Sequence, residues 1–145
     1  MFKNNTQLVS MPVCEVCDRL TIAKLKMQRL PLGELNKDLL QKQITHYESG
    51  VDYTLPNLCK LVSDLLDING QIWDAEHDIR KGLDNELGLA EIGKRAVQIR
   101  NLNCVRVSIK NEITLLAGQP EFSDCKMNHI SQLSSTSDLT VSPSL

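Results

Sequence analysis

Aromatic residues are the scarcest class in this chain: one Trp, two Tyr and two Phe make up 3% of its 145 residues. That leaves no row of rings on which successive bases could stack, the usual platform for single-stranded nucleic acid. An excess of one charge sign is missing too. Sixteen Lys and Arg against eighteen Asp and Glu give a formal net charge of −2, and the isoelectric point is near 5.9. Without a basic excess the chain is no general binder of phosphate backbones, and no nucleic-acid partner is expected. No uninterrupted apolar run approaches the roughly 18 residues a membrane helix needs, and no apolar N-terminal segment reads as an export signal. The expectation is a cytoplasmic protein with no membrane partner.

The five Cys are odd in number and scattered, so they are expected as reduced thiols rather than a disulfide framework. Cys14-x-x-Cys17 is the one CxxC, and a zinc site takes four ligands. Cys59, Cys104 and Cys125 stand alone, and His46, His77 and His129 are far apart. No metal and no cofactor are therefore expected, and the paired thiols read as small apolar residues on one side of a helix. A Gly-rich phosphate loop, a nucleophile elbow and a Ser/His/Asp set are also missing. Glu15-x-x-Asp18, Asp64-x-x-Asp67 and Asp74-x-Glu76-x-Asp78 invite comparison with the all-α nucleoside triphosphate pyrophosphatases, which hold magnesium with paired acidic residues. The match is poor: Asp64, Asp67, Asp74 and Asp78 fall on a solvated helix face, and the fourth helix carries no second acidic pair.

What the chain does have is helical periodicity, carried by a hydrophobic fraction of 41% that is mostly Leu, Ile and Val. The spacing predicts an all-α fold: an antiparallel bundle of about four helices, the last two forming a long helix-turn-helix hairpin. The first helix runs from about Pro12 to Leu30, with Ser10 or Met11 at its cap. Val13, Val16, Cys17, Leu20, Ala23 and Met27 form one seam, and Cys14, Asp18, Ile22 and Leu25 a second, so this helix is expected to lie between two partners. Pro31 and Gly33 stop it. The second, Glu34–Glu48, turns Leu35, Leu39, Leu40, Ile44 and Tyr47 inward. The third extends to about Lys81, capped by Thr54 with Pro56 in its first turn. Its seam is Leu58, Leu61, Leu65, Ile68, Ile72, Ala75 and Ile79, flanked by Val62, Leu66 and Trp73. The segment 82–88 is a turn, and the fourth helix, 89–117, turns Ile92, Ala96, Ile99, Leu102, Val107, Ile109 and Ile113 inward and stops at Gly118. Residues 1–11 are expected to be a flexible N-terminus, 12–118 the helical domain, and 119–145 a mostly disordered Ser-rich tail.

Polar residues interrupt the apolar arcs. Asn69, Glu76 and Arg80 do so on the third helix, and Asn103, Arg106 and Lys110 on the fourth. A buried charge costs several kcal/mol unless it is paired. If the hairpin folds about Asn85, position 76 lies level with about 94 and 69 with about 101, so Glu76 can reach Arg95, or Arg80 on its own helix, and Asn69 can reach Asn103 or Arg106. Asp18 is the natural partner of Arg106 or Lys110. Two readings stay open. These residues are structural ion pairs fixing the register of a bundle or oligomer seam, or they line a pocket with an acidic side, Asp18 and Glu76, and a basic side, Arg80, Arg106 and Lys110. The basic side would suit a phosphate or carboxylate. Trp73 reads first as helix-contact packing and second as a stacking surface for a ligand.

Three segments resemble a small uncharacterised bacterial and phage family. Pro12-x-x-Glu15-x-x-Asp18-Arg19-Leu20-Thr21-Ile22-x-x-x-Lys26 is similar to its P-x-x-E-L-x-D-K-[IL]-T-I-L-x-x-K. Asn69-x-x-Ile72-Trp73-Asp74-x-Glu76-x-x-Ile79-Arg80 is similar to N-x-x-L-W-x-[IV]-E-D-x-I-R, and Asn103-x-x-Arg106-x-x-x-Lys110-x-x-Ile113 to N-D-x-R-x-x-[LI]-K-x-x-I-N. Arg19, Cys104 and Thr114 depart from the pattern. The resemblance implies that Glu15, Asp18 and Lys26 join the six polar positions above. It implies no activity, although members tend to lie beside genes for surface-polysaccharide synthesis and glycosyl transfer. The expected function is a binding or assembly module that homodimerises through the long hairpin. The alternative is a protein that binds or processes a phosphorylated metabolite, such as a nucleotide or sugar nucleotide. In that case Arg80, Arg106 and Lys110 would hold the phosphate and Glu76 would serve as acid or base.

Overall fold

The structure, a computed structural model, describes residues 10–80 and 84–124. The helices are α1 (Val13–Arg29), α2 (Glu34–Glu48), α3 (Leu58–Arg80) and α4 (Asp84–Leu116), followed by a 3-10 turn at Pro120–Phe122. Helices pack on helices, and no strand occurs among the described residues, so the fold is an all-α bundle. Most of the expected N-terminal segment, the hairpin tip from Lys81 to Leu83 and the tail from Cys125 lie outside the described residues.

α1 is the centre of the bundle. Both of its stripes are covered: Cys14, Cys17, Leu20, Ala23 and Leu25 are all buried, and α1 packs against α2, α3 and α4. Its N-terminal end is capped from the far end of the domain. Pro12 occupies the cap position without a side-chain bond, and the Val13 N–H donates to Gln119 Oε1 at 3.0 Å. Asp124 N–H in turn donates to Asn111 Oδ1 at 2.8 Å, which holds residues 119–124 against α4. Leu30 is extended, with ψ 142°, because Pro31 follows it, and α1 ends at Arg29.

Two boundaries differ from the periodicity. The third helix starts at Leu58 rather than near Pro56, because Asn57 has a φ of 69°. Asn tolerates this left-handed geometry, but a helix cannot run through it. Thr54 caps nothing: its N–H and hydroxyl both donate to Asp52 Oδ1, forming a local turn. In α4, residues 84–87 are already helical. Gly88 then breaks the helix with φ 80° and ψ 156°, a conformation that glycine adopts without strain. The uninterrupted run begins at Leu89, as the breaker pattern predicts.

The core contains Cys17, Leu20, Leu40, Ile44, Leu58, Leu65 and Ile113, drawn from all four helices. Two expected apolar faces are only partly used. On α2, Leu40 and Ile44 are buried, but Leu35 is 71% exposed and Leu39 49% exposed. α2 packs essentially on α1 alone, and one partner helix covers a narrow stripe. On α4, Val107, Ile109 and Ile113 are buried, whereas Ala96 is exposed and Ile92, Ile99 and Leu102 are half-buried. That half of α4 has α3 beside it but, among the described residues, no side-chain bond to α1 beyond those of Arg106. Accordingly, Leu65→Ala, at a fully buried position, is expected to cost about 2–5 kcal/mol in urea unfolding. Leu35→Ala on the outer side of α2 is expected to change stability by less than about 0.5 kcal/mol.

Candidate functional site

Asp18 is 4% exposed, and its carboxylate is surrounded by donors from two other helices. Arg106 on α4 grips both oxygens: Nε donates to Oδ1 at 3.1 Å and Nη2 to Oδ2 at 2.5 Å. Asn69 on α3 donates its Nδ2 to Oδ1 at 2.9 Å and to Thr21 Oγ1 at 2.9 Å. The Thr21 hydroxyl donates back to the Asp18 carbonyl at 2.8 Å. Lys110 lies one turn along α4, 2.9 Å from Glu15 Oε2 and 3.9 Å from Asp18 Oδ2. Burial pushes the Asp18 carboxyl up, but the hydrogen bonds from Arg106 and Asn69 and the charges of Arg106 and Lys110 outweigh it and hold the group below its ordinary value.

The set of seven expected residues therefore divides. Asp18, Asn69, Asn103, Arg106 and Lys110 belong to one network centred on Asp18, with Asn103 Oδ1 accepting from Arg106 Nη1 at 3.0 Å. Asn69 binds α1 and not Asn103. Glu76 is elsewhere, half-buried, with no hydrogen bond or ion pair to another described residue. Arg95 pairs with Glu91 on its own helix at 3.1 Å. The side chain of Arg80 lies outside the described residues.

A groove opens beside this network. α1 is tied to α4 through its N-terminal half and to α3 through its C-terminal end, where Arg29 donates to the Gly70 carbonyl at 3.3 Å and pairs with Asp74. Gly70 allows that approach: a Cβ there would lie 3.1 Å from Arg29 Nη2. Between the two sets of ties, Ile22 and Lys26 of α1 face Ala96, Ile99, Arg100 and Asn103 of α4 across a groove of about 570 Å³. Asn69, Ile72, Trp73 and Glu76 of α3 form its floor. The volume is within the range of small-molecule sites. Lys26 and Arg100, like Glu76, have no bonded partner among the described residues. Arg106 also borders the groove. Three of its N–H groups are engaged by Asp18 and Asn103, and a guanidinium carries five. A wider depression, between the start of α3 and the end of α4, has its Lys60 and Asp64 already paired at 2.7 Å.

Several of these residues carried a signal in the sequence. Lys26, Trp73 and Glu76 lie in the family-like motifs, and Asn69 and Asn103 interrupt apolar arcs. Arg100 was missed: it follows Ile99 on a face that reads as solvated, and only the end of α1 makes that face a wall. The two thiols of the CxxC behave as core residues. Cys14 and Cys17 are 4% and 0% exposed, and burial, helped by Cys14, Asp18 and Glu48, pushes the Cys17 thiol up to about 11. Among the described residues no group of three or more His, Cys, Asp or Glu side chains is placed to hold a metal ion. No helix there is long and apolar enough to cross a membrane.

No known protein family, curated protein or solved structure matches this chain. The family resemblance therefore rests on the motif residues alone.

The Asp18 network has a pH signature. Its folded pKa lies below the ordinary 3.8, so its stabilisation is complete above about pH 4 and is lost as pH falls through the folded pKa. Near neutral pH, Asp18→Asn is expected to lose about 3 kcal/mol by leaving the Arg106 guanidinium without its carboxylate. Urea unfolding repeated near pH 3 should show the gap between wild type and variant narrowing.

Proposed function

We propose that this chain is a binding module whose working surface is the groove between α1, α3 and α4, and that the occupant is a small molecule carrying phosphate. The observation that carries this reading is the set of charged side chains, without bonded partners among the described residues, around Ile72 and Trp73. Lys26 and Arg100 stand on opposite walls without bonded partners among the described residues, and Arg106 is fixed in place by Asp18. Cations on facing walls, with spare N–H donors and the single carboxylate of Glu76 between them, suit a phosphate better than a neutral ligand. Trp73 and the half-buried Ile72 and Ile99 offer a flat apolar surface for the rest of the molecule. Glu76 is available to accept hydrogen bonds from hydroxyl or amino groups of the ligand.

Lys110 falls outside the groove in this reading. Its ammonium is engaged by Glu15 and Asp18, so it fastens α4 to α1 rather than meeting ligand. Self-association is the second reading, and it rests on a different surface. Leu89, Val97, Val105 and Leu115 of α4 are each between 46% and 88% exposed, an unusual load of large apolar groups for one helix. A second copy laid along this hairpin would cover them.

The two readings separate experimentally. A panel of nucleotides and phosphorylated sugars should raise the melting temperature of wild type and leave that of Arg100→Ala unchanged, because the variant lacks one wall's cation; as Arg100 is exposed, its unliganded melting temperature is expected to match wild type. Failure of every phosphate to shift wild type would defeat the groove reading. Light scattering at micromolar concentration reports on self-association, and a dimer that Leu89→Glu converts to monomer would support it.

A further inference from the structure

The groove does not end at α1. On the opposite flank, between α1 and α2, lies a second cavity of about 370 Å³. Ile22, Lys26 and Arg106 border both. Ile22 and Lys26 are one helical turn apart on the same side of α1, so the two cavities meet along a short ridge formed by these side chains. The two sides differ in chemistry. The groove presents Ile72 and Trp73 on its floor and Ile99 on its α4 wall, whereas the second cavity is lined by Arg19, Gln43 and Tyr47 beside Glu15 and Asp18, whose carboxylates are already paired with Lys110 and Arg106. Arg19 and Gln43, like Lys26, make no hydrogen bond or ion pair with another described residue.

We infer that the groove and this cavity are two compartments of one elongated site, and that it takes a molecule with two dissimilar ends joined by a diphosphate: a planar ring on the Trp73 side, a polyhydroxylated group on the Gln43 and Tyr47 side. The inference rests on the phosphate reading of the groove and adds the shape of the ligand to it. The charge balance selects the linker. Among the described residues Lys26 on the ridge has no counter-ion, the charge of Arg106 is offset by Asp18, and Arg19, just beyond the ridge, has no anion paired with it. Lys26 on the ridge and Arg19 just beyond it match the two negative charges of a bridging diphosphate, one on each phosphate, whereas a terminal monophosphate confines its charge to a single group and would engage one compartment only. Volume points the same way. The second cavity is near the small end of ligand sites and large enough for a sugar-sized group.

Calorimetric titration of the full chain with ADP-ribose, AMP and ribose 5-phosphate tests this. ADP-ribose is expected to bind at least about tenfold more tightly than AMP, and Arg19→Ala to remove that advantage by weakening ADP-ribose about tenfold while AMP is unaffected. Equal affinity for ADP-ribose and AMP, with Arg19→Ala altering neither, would overturn the two-compartment site and leave the phosphate reading of the groove standing. Binding of none of the three would overturn both. A wild-type-like melting temperature for Arg19→Ala, expected from its exposed position, separates loss of binding from loss of fold.

Discussion

A carboxylate enclosed by helices has to be met by donors from every side, and Asp18 imposes that condition on the whole domain. Its two oxygens take three hydrogen bonds, two from α4 and one from α3, while its own backbone belongs to α1. Three helices are thereby held at a fixed rotation and height. A hydrophobic seam by itself does not set register so narrowly, since Leu and Ile can slide by a turn and still be buried. The polar cluster cannot slide without leaving a charge in the interior. The mid-helix positions of Asn69 and Arg106, which look like faults in an amphipathic pattern, are the donors this carboxylate requires.

The groove follows from how that constraint is distributed along α1. Below Asp18, Glu15 meets Lys110 and the start of α1 is capped by Gln119, so α1 and α4 stay together. Above it, Arg29 turns to α3 at Gly70 and no comparable tie reaches α4. A helix fastened to one neighbour below and the other above leaves a wedge on the side it has left. The residues exposed in that wedge are not the ones a core would choose: Lys26, Glu76, Arg100 and Asn103 surround Trp73 and two isoleucines. Arg106 belongs to both settings. It satisfies Asp18 on one side and retains N–H groups toward the groove, so folding pre-orients a cation that a ligand would otherwise have to order.

The helices were legible because their punctuation is strong: Pro31, the Gly82–Gly88 breaker cluster and Gly118 mark ends that periodicity alone would blur. The pairing of Asp18 with Arg106 was legible as well, because both residues sit where an apolar arc demands a partner. Arg100 was not, since its helix face reads as solvent until the place where α1 ends is known. Nor was Gln119, which acts through a contact 106 residues away in sequence, between segments that no local pattern connects. Leu35 and Leu39 failed in the opposite direction. Their spacing promises a covered face, but covering it takes a second neighbouring helix, and α2 has essentially one. Local spacing reports what a segment can bury; how many neighbours arrive to bury it is set by the tertiary fold.

The coupling between Asp18 and Arg106 is the direct test of the constraint on which everything else rests. A double-mutant cycle with Asp18→Asn and Arg106→Gln, read by urea unfolding near neutral pH, should return an interaction energy of at least about 1.5 kcal/mol. The double variant should then be less damaged than the two single losses together imply. Additivity within about 0.5 kcal/mol would mean that the two side chains act independently, and the register of the bundle and the placement of Arg106 at the groove would need another cause.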